Sequence, residues 1–95
     1  MLTITTEDNT LVLQGRLDTS TVDDLRKALD KLSGDITVDL GKLEYINSAG
    51  LGLLLGAYQR VSQEGGSVRI LNPTPYIREL FSITGLDHLL LVNQD

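Results

Sequence analysis

In the stretch Ile46-Asn47-Ser48-Ala49-Gly50-Leu51-Gly52, an asparagine and a serine stand where a buried strand pattern gives way to an amphipathic helix pattern. The chemistry this offers is acceptance of a phosphoryl group rather than catalysis. A helix start gathers unpaired backbone N–H groups and the positive end of the helix dipole. A phosphate on Ser48 would bring about −1.5 to −2 charges and three acceptor oxygens to a place suited to them. The plainer reading makes Ser48 and Asn47 helix caps, a position where both residue types are preferred. The two readings hold together if Asn47 caps and the Ser48 hydroxyl faces outward.

Other reactive groups are few. The 95 residues include no cysteine, no tryptophan and one histidine, which removes disulfides, thiolate metal sites and thiol catalysis together. His88 has no second ligand or base at useful spacing and reads as a surface residue. No metal, no cofactor and no enzymatic activity are therefore expected. Gly50, Gly52 and Gly56 spell Gly-x-Gly-x-x-x-Gly, with the third glycine one position late for a dinucleotide fingerprint, and no Walker-type Gly-Lys-Ser/Thr occurs. A nucleotide-binding or hydrolysing domain is the weakest reading.

The net charge of −5 comes from 13 acidic and 8 basic residues. The basic residues are scattered, which argues against nucleic acid or anionic lipid as a direct partner. No apolar run reaches the roughly 18 residues a membrane span needs. No basic segment followed by an apolar core marks a secretory signal, so a cytoplasmic location is expected.

The elements that must position Ser48 follow from periodicity. Leu2 and Ile4 alternate with threonines, and Leu11, Leu13 and Leu17 alternate with Val12, Gln14 and Arg16; with Asp8-Asn9 between the two stretches, this predicts a β-hairpin. Thr19-Ser20-Thr21 supplies cap candidates, Asp23 and Asp24 suit a first helical turn, and Val22, Leu25, Ala28, Leu29 and Leu32 follow at helical spacing up to Gly34. Ile36, Val38 and Leu40 make a short strand, and residues 41 to 47 read as a loop. The second helix is expected over about 48 to 63, with Leu51, Leu54, Leu55, Tyr58 and Val61 as its core stripe, ending at Gly65-Gly66. Val68 to Leu71 is a strand. Thr74 and Pro75 start a third helix with Ile77, Leu80 and Phe81 on its apolar face, closed by Gly85. Residues 88 to 92 form a last short strand or a helical tail.

The order β-β-α-β-α-β-α-β predicts a single α/β domain over residues 1–95: a mixed β-sheet opened by an N-terminal hairpin, with helices packed over it. Within the second helix each glycine costs roughly 0.5–1 kcal/mol relative to alanine. Ala49, Gly52 and Gly56 share a face, and two accounts compete: close packing inside the domain, or a smooth docking surface, with docking favoured for Gly50 and Gly52 beside Ser48. Asp18 reads as a solvated strand end or as the beginning of the first helix cap. Tyr45, Tyr58 and Tyr76 read as core or rim packing.

The run Tyr45-Ile-Asn-Ser-Ala-Gly-Leu-Gly-Leu-Leu-Leu-Gly56 resembles the STAS domains, specifically the bacterial anti-sigma factor antagonists. Their signature is Asp-Ser-(Ser/Thr/Ala)-Gly-Leu-Gly followed by an apolar helix. Gly15-Arg16-Leu17-Asp18 is similar to the family's Gly-Glu-Leu-Asp. Val38-Asp39-Leu40, Gly65-Gly66 and Leu80-Phe81…Thr84-Gly85-Leu86 also fall in register, so the resemblance spans nearly the whole chain. It implies partner switching. The unphosphorylated protein binds a kinase-type anti-sigma factor, which releases its sigma factor, and that ATPase-type serine kinase phosphorylates Ser48 to end the complex. A phosphatase acting on phospho-Ser48 resets the cycle. The implied partner-binding residues are Asp18, Asn47, Ser48, Ala49, Gly50 and Gly52. Asn47 stands where the family has Asp. Loss of that charge favours the phosphorylated form, or slows phosphorylation if the kinase needs the carboxylate. A constitutive STAS structural subunit of a transporter or sensory scaffold is the alternative function.

Overall fold

A computed structural model of the chain describes residues 1–93, so the last two positions of the expected 1–95 domain lie outside the described residues. Among the described residues eight strands and helices follow one another: β1 (Leu2–Glu7), β2 (Thr10–Leu17), α1 (Val22–Asp30), β3 (Asp35–Ile46), α2 (Ser48–Gln63), β4 (Ser67–Leu71), α3 (Pro75–Thr84) and β5 (Leu91–Val92). A short 3-10 turn, Leu86–His88, leads into β5. The sheet runs β1-β2-β3-β4-β5 in space. The β1–β2 pair is the expected antiparallel hairpin around Asp8-Asn9, and the remaining pairs are parallel. The predicted mixed sheet is therefore present, and the C-terminal segment holds both a turn and a strand.

Alternation tells which face is covered. Leu11 and Leu13 of β2, Ile36, Val38 and Leu40 of β3, and Val68 and Ile70 of β4 are buried in one cluster with Leu25, Leu29, Leu54, Val61, Ile77 and Phe81 of the helices. Their strand neighbours Gln14 and Arg69 are exposed and Val12, Thr37 and Asp39 half-buried. The helices thus cover one face and the other meets solvent, which an antiparallel-edged sheet tolerates. Helix ends use the expected devices at α3, where the Thr74 hydroxyl accepts from the Ile77 N–H (3.4 Å) and Gly85 closes the helix at φ 79°. At α1 the device differs. Thr21 sits at the cap position without a side-chain cap, and the Asp18 carbonyl instead accepts from the Thr21 and Val22 N–H groups (3.1 and 2.9 Å). The helix also ends at Asp30, a turn before Gly34.

The predicted loop over 41–47 is the main correction. β3 continues to Ile46 and pairs Lys42, Leu43, Tyr45 and Ile46 with Gln14, Gly15, Arg16 and Leu17 of β2. Two register shifts, between Val12 and Gln14 and between Gly15 and Arg16, each insert one extra residue into β3. A β-bulge of this kind breaks the period of two. Leu40, Leu43 and Ile46 are consequently three apart yet all buried on the core side, at 0%, 1% and 1% exposure. A step of three is invisible to a search for alternation, which is why the segment reads as a loop. Asp39 helps to shape the first bulge by accepting from the Gly41 N–H at 2.9 Å.

If β3 carries core to its end, Leu43→Ala should cost about 2–5 kcal/mol, and Glu44→Ala, at an exposed position, should stay within about 0.5 kcal/mol. Urea unfolding of the two variants measures this; equal small effects would return the segment to a loop.

Candidate functional site

The candidate site lies at the end of the β2–β3 pair, where two connections leave the sheet side by side. Leu17 and Ile46 are the last register partners, and the Asn47 N–H then donates to the Leu17 carbonyl at 3.2 Å. Asn47 is the N-cap of α2. Its Oδ1 accepts from the Ala49 and Gly50 N–H groups (3.1 and 3.2 Å), and its carbonyl accepts from Leu51 N–H at 3.0 Å. On the other side of the amide, Nδ2 donates to the Thr19 hydroxyl at 3.4 Å. One half-buried residue therefore ties the β2–α1 connection to the start of α2.

Ser48, the first residue of α2, is exposed. The anticipated combination, Asn47 as cap and Ser48 facing outward, is the arrangement found. One expectation changes: the helix start does not offer a set of open N–H groups, because the Asn47 side chain occupies two of them. The helix dipole remains.

Asp18 is half-buried in the β2–α1 connection. Its Oδ1 accepts from the Ser20 hydroxyl (2.7 Å) and the Ser20 N–H (3.0 Å). The Ser20 hydroxyl is the largest influence holding the Asp18 carboxyl below the ordinary carboxylate range. Partial burial opposes this, and the Ser20 amide, the Thr21 hydroxyl and the Arg16 charge add to the lowering. Asp18 thus organises the entry to α1, as one sequence reading had it.

The glycines separate into two kinds. A Cβ on Gly50 would lie 2.8 Å from Leu17 Cδ2 and 2.9 Å from Ile46 Cγ1, so this buried glycine lets α2 close onto the ends of β2 and β3. That removes Gly50 from the expected docking surface. It also turns the helix: the buried row is Gly50, Leu54, Ala57 and Val61, while Leu51, Leu55 and Tyr58 of the expected stripe are only half-buried. Gly52 and Gly56 are exposed, and a Cβ on either would meet nothing within 4 Å. Close internal packing is therefore not what those two positions require. Ala49 is half-buried beside them and, with Gly52 and Gly56, floors a groove between α1 and α2. Arg60 closes that groove's end by donating to the Leu29 carbonyl at 2.9 Å.

Sequence reasoning missed the other side of Ser48. A shallow, mainly apolar trough of about 250 Å³ runs from Ser48 along Leu51, Gly52 and Leu55 to Thr84 and Leu86. Thr84 and Leu86 are more than thirty residues away in sequence, and no local pattern signals their approach. The Asn47–Thr19 contact and the stacking of Arg16 on Tyr45, with the guanidinium 4.2 Å from the ring centroid, have no local signal for the same reason. Tyr58 and Tyr45 are half-buried and Tyr76 is 48% exposed; His88 is exposed, 3.8 Å from Asp87. No helix among the described residues is long and apolar enough to cross a membrane.

Comparison with known proteins gives a consistent result. The profile described as "Mlab, STAS domain" matches residues 1–92. The anti-sigma-B factor antagonist of Staphylococcus aureus (strain NCTC 8325 / PS 47) is 37% identical over 84 residues, covering 84% of this chain and 78% of that protein. Among solved structures, an anti-sigma factor antagonist from Mycobacterium paratuberculosis superposes with a TM-score of 0.80 at 23% identity, covering 100% of this chain and 86% of the other. The phosphorylated form of the Bacillus cell fate determinant SpoIIAA gives 0.73 at 23% identity, covering 100% and 93%. The two structures establish the shared fold; the sequence matches establish the family.

Two measurements check the site's construction. Gly50→Ala should destabilise by about 1–3 kcal/mol through overpacking, whereas Gly52→Ala and Gly56→Ala should each stabilise by roughly 0.5–1 kcal/mol; chemical denaturation reads both signs. Because the Asp18 carboxyl is held below its unfolded range, its contribution is present at neutral pH and fades as pH falls through the folded value. The stability gap between wild type and Asp18→Ala, followed by thermal melts from pH 7 downward, should therefore narrow below about pH 4. A gap that is constant with pH would contradict this.

Proposed function

Because this chain belongs to the STAS domain family, among the anti-sigma factor antagonists, we propose that it is itself an anti-sigma factor antagonist that works by switching partners in the bacterial cytoplasm. In this reading the unphosphorylated form docks on an anti-sigma factor that is also an ATPase-type serine kinase. Docking displaces a sigma factor, and transfer of a phosphoryl group to the Ser48 hydroxyl ends the complex. A phosphatase acting on phospho-Ser48 restores the binding form. The protein is ligand and substrate in this cycle, in keeping with relatives named for a regulatory role rather than for a catalysed reaction. The observation that carries the proposal is the exposed Ser48 hydroxyl at the first position of α2, beside an apolar trough that a protein can cover.

The geometry around Asn47 supports a particular reading of how the modification would act. Ala49 and Gly50 N–H are engaged by Asn47, so a phosphate on Ser48 stays on the outer surface rather than folding into the helix start. Its charge and bulk then oppose the partner directly, while Asn47 continues to hold the junction. Asp18, Asn47, Ala49 and Gly52 surround the switch in this reading. Gly50 supports it from beneath.

Incubation with ATP and a cognate kinase should add one phosphate to the wild type and none to Ser48→Ala, read by intact mass. Ser48→Asp should abolish binding, and amide spectra of the phosphorylated form should shift only near Ser48. Equal labelling of Ser48→Ala would end the proposal. The constitutive-subunit reading keeps one observation in its favour, that Asn47 already completes the helix start without a phosphate; it requires Ser48→Asp to bind its partner as the wild type does.

A further inference from the structure

Arg16 and Tyr45 are register partners on β2 and β3, and the guanidinium lies over the tyrosine ring at 4.2 Å from its centroid. Stacking on an aromatic face fixes the planar cation and reduces the entropy that a later contact would cost. The Arg16 side chain is nevertheless 52% exposed. Its nearest carboxylate, Asp18, is 3.9 Å away from Nε, beyond hydrogen-bond distance. Asp18 meets its own needs elsewhere, chiefly at Ser20. Arg16 is thus loosely ion-paired with Asp18 through Nε, and its half-exposed guanidinium, held over Tyr45, can still offer donors to a further acceptor on a chain whose net charge is −5.

Its position matters as much as its chemistry. The next register pair is Leu17–Ile46, and Asn47 and Ser48 follow at once. Three peptide units link Tyr45 to Ser48, so their Cα atoms are at most about 11 Å apart. A standard protein–protein interface buries about 800 Å² on each side, a patch roughly 30 Å across. Arg16 and Tyr45 alternate with the buried Leu17 and Ile46 and so lie on the face away from the helices. A protein centred on Ser48 has the span to reach them by wrapping the end of the β2–β3 pair. Arginine and tyrosine are also residue types enriched among the few positions that dominate binding energy.

We propose that Arg16, held by Tyr45, is the charge-reading element of the Ser48 surface, and that the partner covering this surface is a protein presenting a carboxylate to it. Arginine and a carboxylate pair through two parallel hydrogen bonds, which sets orientation as well as attraction. The inference rests on the partner-switching reading and deepens it by naming the chemistry that selects the partner.

The test is surface plasmon resonance of wild type, Arg16→Glu, Arg16→Gln and Ser48→Asp against each ATPase-type serine kinase encoded in the source genome, purified singly, at low and high salt. Wild type should bind one of them, with association slowing as salt rises. Arg16→Glu should bind it at least about tenfold more weakly, mainly through slower association that salt relieves, as expected for a charge that steers encounter. Arg16→Gln should lose most of the salt dependence. Circular dichroism matching the wild type excludes unfolding, and Arg16→Gln serves if Arg16→Glu fails to fold. Wild-type affinity and salt response in both Arg16 variants, with binding still lost in Ser48→Asp, would overturn the inference and leave the switch standing. Absence of binding by the wild type to every kinase would overturn the switch reading and this inference with it.

Discussion

The junction depends on one asparagine that ties three segments together through its backbone and its side chain. Asn47 takes an extended conformation, donates its N–H to the Leu17 carbonyl, caps Ala49 and Gly50 with Oδ1, and reaches the Thr19 hydroxyl with Nδ2. An N-cap is worth roughly 0.5–2 kcal/mol, but its geometric consequence is larger than its energy. It fixes where α2 starts, and therefore which residue is the first to stand clear of the sheet. That residue is Ser48.

The rest of the fold supports this placement. The two extra residues in β3 carry the strand far enough for Ile46 to end level with Leu17. Gly50 then allows α2 to descend onto both side chains. The same close approach rotates the helix, so Leu51 and Leu55 come to the side and line the trough next to Ser48 instead of filling the core. Gly52 and Gly56 show the opposite balance. They give up helix stability without being needed for packing, and this is where a protein surface departs from what stability alone would select.

On the proposed reading, the switch is local. A phosphate on an outward serine, at a helix start whose N–H groups are engaged, alters charge at the surface and leaves the supporting hydrogen bonds in place. On the same reading, Arg16, held over Tyr45 and 3.9 Å from Asp18, is the cation the partner meets at the end of the same strands. Together they make a patch whose charge pattern a single modification can change. A shallow trough lined mostly by apolar atoms provides the area over which a partner can bury surface.

Much of this was legible in the chain itself. The hairpin, the three helices, the mixed sheet and the Asn47-Ser48 junction follow from local patterns, because alternation, helical spacing and capping preferences act over a few residues. The role of Thr74, Pro75 and Gly85 at the ends of α3 was readable for the same reason. What local pattern could not give was anything set by approach between distant segments. The bulges that turn residues 41–46 into strand depend on pairing with β2. The difference between Gly50, pressed against Leu17 and Ile46, and Gly52, facing open space, depends on how α2 meets the sheet. The meeting of Thr84 and Leu86 with Ser48, and of Arg16 with Tyr45, is decided by topology. Sequence determined which groups can act; tertiary packing decided which of them share a surface, because side-chain neighbours across strands and helices are fixed by register and not by spacing along the chain.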